Sequence, residues 1–146
     1  MLQDRVIFLE ASNEFEARVC FISGGIKAGF PSPAQDFMDE NIDLKKFLIQ
    51  HPNETFFARV DGNSMINAGI SDGDIVVVDR SLPLEDGKIY VCALDGDFTI
   101  KRVDIDKKNE KVYLVPENET FERIEVPKEH ENFMIWGRVT RVIKQF

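Results

Sequence analysis

Ser64 sits in the stretch VDGNSMINAGISDGDIVVVD, after a strand-like run and ahead of an acidic glycine turn. A serine hydroxyl is a weak nucleophile until a neighbouring base takes its proton. The chain holds two histidines, His51 at a helix end before Pro52 and His130 in the acidic stretch PKEHEN, and both read as surface residues. GNSM is not the GxSxG elbow either, which needs a strand, a sharp turn and a helix of an α/β sheet. By residue type alone Ser64 is a turn residue, because serine hydroxyls favour such positions.

A neutral lysine amine is the other base able to activate serine. Free lysine titrates at about 10.4, so a base working near neutrality needs a fall of about three units, or roughly 4 kcal/mol. Burial among apolar groups supplies such a fall by penalising the ammonium form. Lys101 in DFTIKRV has apolar neighbours in Phe98, Ile100 and Val103. Alternation does not decide whether it faces the core or water, because the apolar residues here keep to neither face. Gly62 allows a tight turn before the serine, and the backbone N–H groups of Ser64 and Met65 are candidates to converge on an oxyanion.

A chain of 146 residues makes one domain, or one domain with an appendage, and builds a core without covalent staples. Cys20 and Cys92 form no CxxC or Cys/His pattern, so reduced thiols are expected, with no metal and no cofactor. The longest apolar run, IVVV from Ile75 to Val78, falls far short of the ~18 residues of a membrane span. The first residues lack the unbroken apolar centre of a secretion signal. A cytoplasmic protein without membrane contact is expected. The 26 acidic and 18 basic side chains give a net charge of −8, a surface that repels phosphate backbones, so autonomous sequence-specific DNA binding is not expected.

Residues 1–28 read as an apolar-rich arm ending in SGGIKAG, where glycines mark loop-like backbone. Pro31 and Pro33 favour an extended hinge after it. Residues 29–52 combine that hinge with a short helix in NIDLKKFLIQHP, where Asp43 can cap, Leu44, Phe47 and Leu48 share a face, and Pro52 stops the helix. Residues 53–146 alternate strand-like runs with turns such as SDGD, EDGK and LDGD. Strands are expected at 56–60, 74–79, 88–94, 98–105, 111–115, 121–126 and 133–143. This spacing predicts a mainly β, curled antiparallel domain rather than alternating β-α units.

GNSM...AGISDGDIVVVD, with the lysine of FTIKRV following Ser64 by 37 positions (101 − 64), resembles the LexA/UmuD family of self-cleaving Ser-Lys peptidases. AGFPSP...IDLKKFLIQHP is similar to the UmuD branch in particular. The resemblance runs from about residue 28 to the C-terminus and is weaker in the arm and in KKNEKVYLVPENETFERIEVPKEHEN. It implies a LexA/signal-peptidase-like β domain with one short N-terminal-side helix, preceded by a cleavable arm. Carried over to this chain, it implies Ser64 as nucleophile, Lys101 as general base and Ala28–Gly29 as the bond cut. UmuD-like proteins can carry Cys-Gly at that bond; the Ala-Gly here is commoner in LexA-type repressors.

The same resemblance implies a homodimer of the SOS response that docks on a RecA–single-stranded DNA filament, sheds its arm and joins a UmuC-like Y-family polymerase for translesion synthesis. The alternative is a LexA-like or phage-type self-cleaving regulator lacking its DNA-binding domain. Its helix-turn-helix head needs about three helices, more than a 28-residue arm can form, and the arm is not basic. A non-cleaving binding module and a signal-peptidase-like enzyme are the remaining rivals, the latter disfavoured without a membrane anchor. Cleavage within one chain and across a dimer both stay open.

Overall fold

Acidic glycine turns punctuate the second half of the chain, and strands start and stop at them. The computed structural model describes residues 5–10, 18–22, 26, 28–29, 39–127 and 129–146. The SGG glycines and the prolines at 31 and 33 lie outside the described residues. The chain divides into two units, one joining Arg5–Glu10 to His51–Phe146, the other within Ser12–Gln50.

The larger unit is one eight-stranded antiparallel sheet. Its strands are β1 (Arg5–Glu10), β4 (Thr55–Asp61), β5 (Ile75–Asp79), β6 (Ile89–Leu94), β7 (Asp97–Asp106), β8 (Lys111–Val115), β9 (Ile124–Pro127) and β10 (Phe133–Ile143). Their order across the sheet is β1-β4-β5-β10-β6-β7-β8-β9. Turn chemistry explains the tightest connection. Asp95 (φ 50°) and Gly96 (φ 86°) join β6 to β7, and two successive positive φ values suit the right-handed twist of a two-residue hairpin.

β10 threads between β5 and β6, with bulges between Ile135 and Gly137 and between Val139 and Arg141. A Cβ on Gly137 would stand 2.7 Å from Val78 Cγ1, so the first bulge works only with glycine. Gly137→Val should therefore break the strand crossing. One core cluster gathers Ala58, Val60, Met65, Ile70, Val76 and Val78 with Val91 and Ile100; a second gathers Tyr90, Cys92, Val103, Leu114 and Val126. Each fully buried aliphatic side chain here contributes about 1.5–3 kcal/mol.

In the smaller unit, β2 (Arg18–Ile22) pairs antiparallel with β3 (Asp39–Asp43), and α1 (Leu44–Leu48) follows at once. Asp43 Oδ1 accepts the Lys45 amide at 3.0 Å, the expected cap. The helix is shorter than its apolar spacing predicts. Ile49 is already extended, three residues before Pro52, and the rings of Phe47 and Phe21 meet at 6.2 Å. Among the described residues, then, the chain is mainly antiparallel β with one short α-helix, as the LexA/signal-peptidase-like expectation required. No helix among the described residues is long and apolar enough to cross a membrane.

Candidate functional site

Ser64 enters the site through a closed neck. Val60 at the end of β4 and Asp74 before β5 are tied by Val60 N→Asp74 O and Gly73 N→Val60 O, both 2.8 Å. The intervening segment must therefore loop out and return. Gly62, with φ 117°, takes a backbone conformation closed to most side chains, and Ser64 follows two residues later. A single 3-10 turn, Ile66–Ala68, then brings the chain back, while Met65 packs into the first core cluster. Met65 O accepts the amides of Ala68 at 3.0 Å and Ile70 at 3.2 Å.

Lys101 comes from the middle of β7, directly opposite Tyr90 on β6. Thr99, Ile100 and Lys101 are all buried, with 0%, 1% and 5% of their surfaces exposed. The amine therefore points inward, the choice that alternation could not make. Lys101 Nζ lies 2.9 Å from Ser64 Oγ, 2.7 Å from Thr99 Oγ1 and 3.0 Å from the Ile100 carbonyl. The serine itself is 1% exposed.

Those three oxygens suit either protonation state. An ammonium donates to all three. A neutral amine donates to two, Thr99 Oγ1 and Ile100 O, and turns its lone pair toward the hydroxyl proton of Ser64. Burial this deep disfavours the ammonium. Such a pair can move the serine proton to the amine without any histidine. Both histidines are engaged elsewhere: His51 Nδ1 lies 2.6 Å from Asp79 Oδ2, and His130 Nε2 lies 3.8 Å from Asp95 Oδ1.

Burial also pushes the thiol of Cys92 up to about 12, a rise that an ammonium at Lys101 would only partly offset. The cysteine opposite Thr99 on β6 is therefore inert packing rather than a second nucleophile. No cluster of His, Cys, Asp and Glu able to hold a metal occurs among the described residues.

Ala28 and Gly29 are both exposed, in a bend. A Cβ built on Gly29 meets nothing within 4 Å. Sequence reasoning missed Thr99, although its signal was available: two residues before Lys101 on a strand, it had to share the lysine's face.

Comparison with known proteins bears on this geometry. The family model described as Peptidase S24-like matches residues 21–140. Protein MucA of Salmonella typhimurium is 40% identical over 115 residues, covering 79% of this chain and 77% of that protein. Protein ImpA of Shigella flexneri is 41% identical over 119 residues, covering 80% and 77%. The LexA repressor of Aeromonas hydrophila subsp. hydrophila is 34% identical over 138 residues, covering 94% of this chain and 65% of the repressor.

Proposed function

The chain belongs to the Peptidase S24-like family, and from that premise we propose that it is a UmuD-like Ser-Lys peptidase that cuts itself after Ala28. The observation that carries this reading is the buried contact of 2.9 Å between Ser64 Oγ and Lys101 Nζ. The neutral amine takes the Ser64 proton as Oγ bonds to the Ala28 carbonyl carbon. Backbone amides at Ser64 and Met65 are the proposed donors to the oxyanion that forms. The C–N bond to Gly29 then breaks, and the lysine ammonium gives its proton to the departing amine. Water attacks the Ala28 ester, Lys101 again serving as base, and Ser64 is regenerated.

Physical features support the choice of bond. A peptide under attack lies extended beside the enzyme, and small residues at Ala28 and Gly29 let the serine approach. In the wider proposal, a RecA–single-stranded DNA filament stimulates the cut in the SOS response. The product, residues 29–146, then serves a UmuC-like Y-family polymerase as a homodimeric accessory subunit. Exposed Val142 and Ile143 at the end of β10, with exposed Phe146 beyond it, favour a dimer, which sedimentation at micromolar concentration tests; a monomer contradicts it. The net charge of −8 disfavours a role in binding DNA directly.

Incubation with RecA, single-stranded DNA and ATP, followed by intact-mass measurement, tests the cut. A fragment beginning at Gly29 is expected, and none from Ser64→Ala. A fragment beginning elsewhere contradicts the assignment. The match to the LexA repressor over 94% of this chain favours a second reading, a self-cleaving transcriptional regulator. Sequence-specific DNA binding by the intact chain separates the two.

A further inference from the structure

The loop PENETF between β8 and β9 holds the Ser64 turn from outside. Asn118 Oδ1 accepts the Thr120 amide at 3.0 Å and the Thr120 hydroxyl at 2.9 Å, a local turn that leaves the Asn118 amide group pointing away. That Nδ2 donates to the carbonyl of Asn63 at 2.9 Å, one residue before the serine. The Glu117 carbonyl accepts the amide of Asn67 at 2.8 Å, three residues after it. Both flanks of Ser64 are thus tied to two consecutive residues of one loop.

The Glu117 side chain reaches the other half of the site. Its Oε1 lies 2.5 Å from Nε of Arg102, the residue following Lys101, and Arg102 NH1 also donates to the Gly87 carbonyl at 2.6 Å. A closed circuit results, from β7 through Arg102 and Glu117 to the Ser64 turn, and from Ser64 Oγ back to Lys101 on β7. Across the turn from this loop, Asp72 braces the same segment, accepting the Gly62 amide at 2.8 Å and donating its own to Asn63 Oδ1 at 3.2 Å.

We propose that Glu117 and Asn118 are positioning residues, a clasp that fixes the height of Ser64 over Lys101. The proposal rests on the Ser-Lys reading and deepens it. The leverage of the clasp comes from geometry: a reacting atom misplaced by about 1 Å costs on the order of 100-fold in rate.

Asn118→Asp isolates the clasp. The carboxylate keeps both acceptors for Thr120 and so keeps the loop, but it replaces the donor to Asn63 with a second acceptor. Spontaneous self-cleavage is measured from pH 7 to 11, with melting temperature and amide exchange of residues 62–69 in the intact chain. In Asn118→Asp the alkaline plateau should fall about tenfold or more, the midpoint of the pH profile should stay, and exchange in the turn should rise without a drop in melting temperature. Glu117→Gln, which keeps an acceptor for Arg102 but not the charge, should fall less.

A plateau equal to wild type overturns the clasp while leaving the Ser-Lys reading intact. A midpoint that moves together with the melting temperature overturns it too, because the loss is then general loosening. Wild-type protein that cleaves at no pH and with no filament overturns the Ser-Lys reading instead. The exchange measurement still judges the clasp in that case, and unchanged exchange of residues 62–69 in Asn118→Asp overturns it.

Discussion

Thr99 Oγ1 stands 2.7 Å from Lys101 Nζ, closer than the serine, and both residues are buried on one face of β7. The hydroxyl accepts one of the amine's hydrogens, which turns the lone pair toward Ser64 when the lysine is neutral. Thr99→Val keeps the shape and removes the acceptor, a loss of one buried hydrogen bond to the amine that costs about 1–3 kcal/mol. Self-cleavage should slow by roughly 10- to 100-fold in Thr99→Val and recover most of that loss in Thr99→Ser, as read from intact mass against time. Equal rates for the two variants would mean that the hydroxyl has no part in the reaction.

The pH profile of the spontaneous reaction tests the base. Lys101 takes a proton only as the neutral amine, so the rate should rise about tenfold per pH unit and level off above the lysine's folded pKa. A histidine base would reach its plateau near pH 7, since histidine titrates at about 6.5. Lys101→Ala should abolish the slow reaction at every pH. Lys101→Arg should do the same, because a guanidinium holds its proton throughout this range. Cleavage at an unchanged rate in Lys101→Ala would sink the mechanism.

Gly29→Leu should stop cleavage without harming the fold. Gly29 is exposed and a side chain there meets no neighbour, so stability should stay within about 0.5 kcal/mol of wild type. In the proposed reaction the branched side chain crowds the carbonyl that Ser64 would attack. Rapid cleavage of this variant, followed by mass, would move the scissile bond elsewhere.

Asp79 carries a pH-dependent share of stability. Burial opposes its ionisation, but hydrogen bonds from the Ser81 hydroxyl, His51 and the Ser81 amide outweigh burial and hold the carboxyl below its usual range. A carboxylate whose folded pKa lies below its unfolded one adds stability above about pH 4, and that stability is lost as pH falls through the folded value. Asp79→Asn should therefore cost about 1–3 kcal/mol at pH 7 and progressively less on acidification below pH ~4. Urea titrations at pH 7 and pH 3 measure it. A gap of the same size at both would point to packing rather than charge.

Most strands of the larger unit were legible because turn residues bound them. SDGD, EDGK and LDGD fall between β4 and β5, β5 and β6, and β6 and β7 respectively. β9 begins at Ile124 rather than 121, since Asn118 and Thr120 extend the preceding turn. The inward direction of Lys101 was not legible, because consecutive residues 99–101 are all buried and alternation vanishes where both faces of a strand are covered. β2 and β3 escaped notice for another reason. DENID has little strand propensity, and its pairing with RVCFI is a long-range event that no local window holds. The loop residues 117 and 118 carried no signal at all, since their role exists only through partners distant in sequence: Asn63 and Asn67 fifty or more positions upstream, and Arg102 fifteen.

β4 runs between β5 and β1, and β1 pairs with it over six residues, from Arg5 opposite Asp61 to Glu10 opposite Phe56. While the chain is whole, β1 is tethered, and its effective concentration at that seam is of millimolar order. A cut after Ala28 removes the tether. Retention of β1 then depends on bulk concentration, and on dilution the strand departs. β4, interior until then, becomes the border of the sheet, with one side of its backbone open to any extended segment that can match it.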